Sequence, residues 1–241
     1  MSLSLQEWIE KEVQPIKAKY SKREIAEMVF FRNELRPRYI DDDVFYSPAD
    51  GVIINQAIVK ADEPLMEIKG MKYNLKDAFM DPWFKGEGNY YMIVDIFLTY
   101  YNIHYTKLPY SGIVSCDKVG PITSNNRPML FAENDLIEGI IDLNKYGFAF
   151  TNERAVITVR MPKLFGHEYY LINIADYEVS NIVHYPEEGD YVIQNKDLGQ
   201  IRYGSQVSFV LPLSDDFEFE FCEKVGRVVK AGIDPIVKIV A

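Results

Sequence analysis

Residues 197–212 read DLGQIRYGSQVSFVLP. Within that strand-like run, Gly204 and Ser205 stand where a strand usually carries bulkier apolar side chains. A serine there is either a small residue at a bulge or a nucleophile that needs open space on its carbonyl side. Two other residues have comparable chemical potential. Asp50, in YSPADGVI, precedes a strand, the ordinary place for an Asp-Gly turn. His104 is the one histidine inside a dense polar-aromatic stretch, FLTYYNIHYTKLPYSG (97–112), and an imidazole can exchange a proton near neutral pH. Ser205, His104 and Asp50 leave a Ser-His-Asp hydrolase open, because such triads are set by geometry and not by chain order. His167 and His184 read as structural or exposed. The chain has no G-x-S-x-G elbow and no G-x-x-x-x-G-K phosphate loop.

The elements that must position these residues come in two textures. Ser4 with Glu7, and Ser21 with Glu24, are capping-box patterns that open two helices, and Pro15 is expected to end or kink the first. The aromatic first helix suits either a membrane surface or packing against this protein or a second copy. From residue 44 the pattern turns to β, with short Val, Ile, Tyr and Phe runs at 52–59, 90–98, 113–119, 147–150, 155–160, 169–174, 179–185, 200–211, 217–223 and 236–240. A short helix over 74–80 and a helical turn over 134–137 interrupt them. EEGDYVIQNKDLGQ (187–200) echoes EKVGRVVKAGIDPI (223–236), as two similar hairpins on a barrel-like sandwich would. The fold class is therefore α+β and predominantly β, with N-terminal helices over 1–40 followed by one mostly antiparallel domain over 41–241.

Composition narrows the function classes. The chain has 241 residues, 48% of them apolar, enough for one large core. A net charge of −10 argues against a nucleic-acid binder and against strong attraction to anionic lipid. Cys116 and Cys222 make no metal-ligand spacing with the three histidines, so no metal is expected and a reducing compartment is. The N-terminus carries Glu7 and Glu10 where a secretion signal needs an apolar run, and the apolar region 89–114 is broken by Asp95, Asn102, His104 and Lys107. The expected location is the cytoplasm, with room for peripheral contact at the inner membrane face.

Seven segments occur together in a telling order: FFRNELRPR (30–38), YSPADGVI (46–53), IKGMKYNL (68–75), FLTYYNIHYTKLPYSG (97–112), TNERAV (151–156), VSNI (179–182) and GQIRYGSQV (199–207). From about residue 28 onward the chain resembles the phosphatidylserine decarboxylase family of pyruvoyl-dependent, self-processing enzymes. The resemblance implies that the Ser205 hydroxyl attacks the Gly204 carbonyl and severs the chain between 204 and 205. Ser205 then becomes a covalent pyruvoyl cofactor that forms a Schiff base with a substrate amine and accepts the electron pair left by CO₂. Gly204 suits this because it lets the backbone take an accessible geometry that a Cβ would obstruct.

By the same resemblance, Asp50 matches the aspartate of S-P-x-D-G and orients or polarises the processing machinery. His104 matches the first histidine of H-x-x-H and transfers protons. Lys107 stands where many members have a second histidine and some shorter ones arginine; it could serve as the base only with its pKa lowered by burial. Asn102 replaces the family's Asp, Tyr100 a Pro, Gln206 a Thr, and Ala175 and Ser180 two Gly. The leading substrate is phosphatidylserine, the product phosphatidylethanolamine, and a homodimer is expected. Two alternatives stand beside it: the same chemistry on a soluble amino acid or serine-like metabolite, and an unprocessed homologue that binds without catalysis.

Overall fold

A computed structural model describes residues 2–81, 84, 86, 89–123, 125–177, 182–201 and 205–240. Gly204, half of the expected cleavage site, and residues 179–181 of one expected strand lie outside the described residues.

The first helical run, α1 (5–19), starts at the Ser4 capping box, as its sequence dictates. It continues past Pro15, so the proline does not end the helix. A π-helical stretch, Ile9–Val13, widens the helix just ahead, and Pro15 sits at the start of the α-helical segment Gln14–Lys19. A proline is tolerated there because its missing N–H is not required. The second run, α2 (22–29), opens on the Ser21 capping box and likewise passes into a π-helical stretch.

Strand β1 (Leu3–Ser4) precedes the helices, and after them come β2 (Val44–Tyr46), β3 (Gly51–Lys60), β4 (Met66–Ile68), β5 (Met71–Tyr73), β6 (Tyr90–Leu98), β7 (Tyr105–Lys107), β8 (Gly112–Val119) and β9 (Arg154–Met161). Then come β10 (His167–Ala175), β11 (Ile182–His184), β12 (Tyr191–Val192), β13 (Asp197–Ile201), β14 (Ser205–Pro212), β15 (Glu218–Phe221), β16 (Arg227–Val229) and β17 (Pro235–Val240). Helix α3 (Leu75–Phe79) lies between β5 and β6, and α4 (Leu130–Ile137) between β8 and β9. The pairings among the described residues are antiparallel, and the α+β, predominantly β class holds.

The large sheet runs β1-β16-β3-β6-β14-β10-β9-β8-β12 and does not close into a barrel, since β1 and β12 form opposite edges. Without β1, that order is a palindrome in kind. One unit contributes β16-β3-β6-β14 and a small sheet β15-β17-β2; the other contributes β12-β8-β9-β10 and a small sheet β11-β13-β7. The second unit is inserted whole into the first, between β6 and β14. Register makes the correspondence exact to the residue: Leu98 pairs with Ser205 in one unit, and Met161 with His167 in the other. In the second unit a short turn, 162–166, closes that hairpin. In the first, residues 99–204 take the turn's place.

The echoed segments 187–200 and 223–236 are therefore not hairpins, a correction. Each runs from the large sheet to the centre of a small one, β12 to β13 and β16 to β17. Two further expectations change. Residues 147–150 form a 3₁₀ turn with Phe148, Ala149 and Phe150 buried, because so short an apolar run carries no period of its own. The expected turn at 134–137 is the end of α4, whose start is fixed by a distant side chain: Asp176 Oδ1 accepts the Met129 N–H at 2.8 Å. Two apolar layers flank the large sheet, one including Phe45, Tyr110, Tyr169 and Phe209, the other Trp8, Phe97, Phe148 and Val210.

Candidate active site

Ser205 opens β14, fully buried, paired with Leu98 on one side and Ala175 on the other. Next in line beyond Leu98 is Gly51, which follows Asp50. A Cβ at Gly51 would lie 2.3 Å from the Phe97 carbonyl oxygen, so only glycine lets β3 approach β6 this closely. With strands about 4.8 Å apart, one end of the sheet thus gathers Asp50, the turn that leaves Leu98, and Ser205.

That turn carries His104. Thr99 N–H and Oγ1–H both donate to Asn102 Oδ1 at 2.9 Å, which shapes the turn. The chain returning toward Ser205 meets it, as Ile201 N–H donates to the His104 carbonyl at 3.0 Å. The imidazole is fully buried and stacked on Phe30, with centroids 3.8 Å apart. Nδ1 lies 3.1 Å from the Asn102 carbonyl, which can only accept, so Nδ1 holds the proton and Nε2 presents a lone pair. That Nε2 is buried with no hydrogen-bond partner among the described residues. Burial, aided by the nearby Arg32 charge and opposed by the Asn102 carbonyl, pushes the imidazole down to about 3. His104 is a neutral acceptor at physiological pH.

Asp50 is almost fully buried and engaged on both oxygens. Arg36 grips it bidentately, Nη1 to Oδ1 at 2.5 Å and Nη2 to Oδ2 at 2.7 Å, and the Ala231 N–H donates to Oδ1 at 2.8 Å. Arg36 arrives on an irregular segment that also places Phe30 on His104 and Arg32 on the Tyr101 carbonyl, 2.7 Å away. Lys107 donates to Asp197 Oδ1 at 2.6 Å. Its backbone N–H reaches the Pro48 carbonyl, 2.8 Å away, and so ties the histidine segment to the Asp50 turn.

The structure brings Ser205, His104, Asp50 and Lys107 to one end of the sheet. It does not connect them as a hydrolase triad, because His104 Nδ1 faces a carbonyl and the Asp50 carboxylate faces Arg36. His167 lies elsewhere, at the second unit's counterpart of position 205, with Nε2 3.1 Å from Asp216. No group of three or more metal-binding side chains occurs among the described residues. No helix among them is long and apolar enough to cross a membrane.

Three residues escaped sequence reasoning. Arg36 lay inside a quoted motif without a role, since nothing in its spacing points to Asp50. Asp95, opposite Ser208 on β14, is fully buried, and desolvation raises its carboxyl above the usual range; it accepts from Asn55 at 2.9 Å and from Gln206 at 3.4 Å. Glu133 is buried on α4, one residue before the helical turn expected over 134–137. Beside the histidine turn, Lys17, Lys22, Tyr100, Tyr101 and Leu130 line a cavity of about 600 Å³.

The antiparallel scaffold thus sets a buried serine and a buried neutral histidine at one end of the sheet. Comparison with known proteins makes it particular: residues 26–236 match the family model described as phosphatidylserine decarboxylase, and the chain belongs to that family of carboxy-lyases. It is 26% identical over 214 residues to a phosphatidylserine decarboxylase proenzyme of Amoebophilus asiaticus, covering 86% of this chain and 75% of that one. It is 27% identical over 209 residues to a putative archaetidylserine decarboxylase proenzyme of Methanothermobacter thermautotrophicus (87% and 76%). A phosphatidylserine decarboxylase proenzyme of Syntrophus aciditrophicus is 29% identical over 207 residues (86% and 76%).

Proposed function

We propose that the chain cuts itself between Gly204 and Ser205 and then decarboxylates a serine-bearing phospholipid, phosphatidylserine in the first instance. The observation that carries this reading is Ser205 itself: a buried hydroxyl residue at the first position of a strand held on both sides, reached by a chain whose previous described residue, Ile201, bonds to His104.

Ser205 Oγ adds to the Gly204 carbonyl carbon and the amide C–N bond breaks, giving an ester and a free amine at residue 205. Loss of the Cα proton expels the Gly204 carboxylate from Cβ and ends the 1–204 chain. The dehydroalanine so formed tautomerises, a proton moving from nitrogen to Cβ, and addition of water to that imine releases ammonia and leaves a pyruvoyl group heading 205–241. His104 Nε2, neutral and holding a lone pair, is the acceptor for a proton in this sequence or its donor in product release. Asp50, fixed by Arg36 and Ala231 N–H, supplies a negative charge at the same sheet end. The pyruvoyl ketone supplies the electron sink for CO₂ loss. Its fit is supported by the small residue opposite, Ala175, and by the chain's own Ser205 as its source.

The cavity beside the histidine turn adds support for an anionic amphiphile, since two lysines, Lys17 and Lys22, against one carboxylate, Glu138, share its lining with Tyr100, Tyr101 and Leu130. The test is the intact mass of purified protein beside Ser205→Ala, followed by CO₂ release from phosphatidylserine vesicles and from free serine. Two fragments in the wild type alone, with release from vesicles only, support the proposal. Release from the free amino acid moves the substrate to a soluble metabolite. A single uncut species in both proteins sinks the self-processing reading and favours a binding role.

A further inference from the structure

Ser205 is flanked by Leu98 and Ala175, and each of these ends its strand. Two residues beyond Leu98, the Tyr100 N–H donates to Glu133 Oε1 at 2.5 Å. One residue beyond Ala175, Asp176 Oδ1 accepts the Met129 N–H at the start of α4. Helix α4 therefore spans the gap above Ser205, holding the β6 end through Glu133 and the β10 end through Met129. Asn126 Nδ2 adds a bond to the Asp176 carbonyl at 3.0 Å, and Asn152 Nδ2 one to the Ala175 carbonyl at 2.8 Å.

Glu133 is an expensive residue for such a place. It is 1% exposed, its Oε2 is buried without a hydrogen-bond partner among the described residues, and the Asp176 carboxylate is a like charge nearby. A leucine would fill the helix's inner face beside Ala132 and Leu136 with no desolvation cost. Among the described residues, the one hydrogen bond Glu133 makes that leucine cannot is as the acceptor for Tyr100 N–H, four residues before His104. Burial first, and then Asp176, push the carboxyl up to about 8, so at neutral pH it is mostly the uncharged acid, whose carbonyl oxygen a glutamine would reproduce.

We infer that Glu133 is a positioning residue of the cleavage site: it pins the turn that carries His104 to α4, and through α4 to the strand end beside Ser205. This rests on the self-processing reading above. It acts through the turn, by its hydrogen bond to the Tyr100 N–H.

The test compares cleavage time courses of wild type, Glu133→Gln and Glu133→Leu, with amide hydrogen exchange over 99–104 and thermal melting on cleavage-blocked Ser205→Ala versions of each. Glu133→Gln is expected to cut within about threefold of wild type, because the acceptor is kept. Glu133→Leu is expected to cut at least about tenfold more slowly, the effect of about 1.4 kcal/mol at the barrier, with the 99–104 amides exchanging faster and melting not reduced. Leucine and wild type cutting at the same rate would overturn the inference. If Glu133→Leu does not fold, Glu133→Asp, one methylene shorter, decides: slower cutting supports the pin and equal cutting overturns it. If wild type itself never cuts, the proposed function falls, and exchange alone then judges Glu133. Faster exchange at 99–104 in the leucine variant but not the glutamine one supports its hold on the turn, and equal exchange overturns it.

Discussion

Two corners of the molecule, SPADG (47–51) in the first unit and LPYSG (108–112) in the second, are built alike and used differently. Tyr46 N–H donates to the Pro109 carbonyl at 3.2 Å, and Lys107 N–H returns the bond to Pro48 at 2.8 Å, so the corners hold each other across the local two-fold. Gly232 N–H bonds to Ser47 O at 3.0 Å as Asn195 N–H bonds to Leu108 O at 2.8 Å, and both donors adopt left-handed backbone, φ 70° and 63°. Ala231 N–H donates to Asp50 Oδ1, and its counterpart, Gln194 N–H, to Ser111 Oγ at 2.9 Å. A neutral hydroxyl thus meets the structural need in one corner. The other spends a buried carboxylate and Arg36 on the same N–H. The surplus is what the fold does not require, and it stands at the Ser205 end of the sheet.

The sharpest way to break this comparison is to make the first corner a copy of the second. Asp50→Ser with Arg36→Met keeps an acceptor for Ala231 N–H and removes both charges. The double variant is expected to fold with a melting temperature near wild type and to lose self-cleavage by a hundredfold or more, read by intact mass. Normal cutting would show that the surplus charge is not functional.

Taken singly, the same changes separate stability from function. Arg36→Met leaves Asp50 as an unpaired buried charge, which costs about 3–5 kcal/mol. Adding Asp50→Ser is expected to recover about half of that in denaturant melts. Additive losses would mean that Arg36 contributes through packing alone.

A smaller effect sharpens the contrast between the scaffold and the inserted unit, which carries both His104 and Glu133. Glu133 has its pKa raised from 4.5 to about 8, so between those values the folded state holds a proton that the unfolded chain has lost, and stability falls as pH rises. His104 is lowered from 6.5 to about 3, so there the unfolded chain holds the extra proton, and stability rises with pH across that window. The two slopes oppose each other between 4.5 and 6.5. From 6.5 to 8 only the Glu133 slope of these two remains, at most about 1.4 kcal/mol per pH unit. Denaturant melts of uncut Ser205→Ala protein are expected to show that decline, and Glu133→Gln to flatten it. A decline that persists in the glutamine variant would assign it to other groups.

Much of this was legible in residue order. The capping boxes at Ser4 and Ser21, the β texture after residue 44 and the Gly-Ser pair are local signals, and most of the strands they imply exist, though 147–150 is a 3₁₀ turn and the expected run 200–211 divides between β13 and β14. What local reading missed depended on partners far along the chain. Helix α4 begins where Asp176, 47 residues away, receives its first N–H. The charge on Asp50 is answered from 14 residues upstream by Arg36. The echo at 187–200 and 223–236 was visible, but pattern alone could not say that its strands part into different sheets, because pairing partners leave no mark in a single segment.

The smallest expected effect tests the quiet corner. Ser111 Oγ accepts one buried N–H, from Gln194, and among the described residues no charged group is bound to it. Removing the hydroxyl with Ser111→Ala strands that N–H, which costs about 1–3 kcal/mol, and leaves the Asp50 corner with its own acceptor and its own ion pair. Thermal melting is expected to drop by a few degrees, while the rate of self-cleavage, followed by mass, stays at the wild-type value. The two corners touch through the Tyr46–Pro109 and Lys107–Pro48 bonds, so a cleavage rate that fell together with stability would mean that the hydroxyl serves the site through them. A drop in stability alone would leave Ser111 as the plain structural version of a position that Asp50 has put to chemical use.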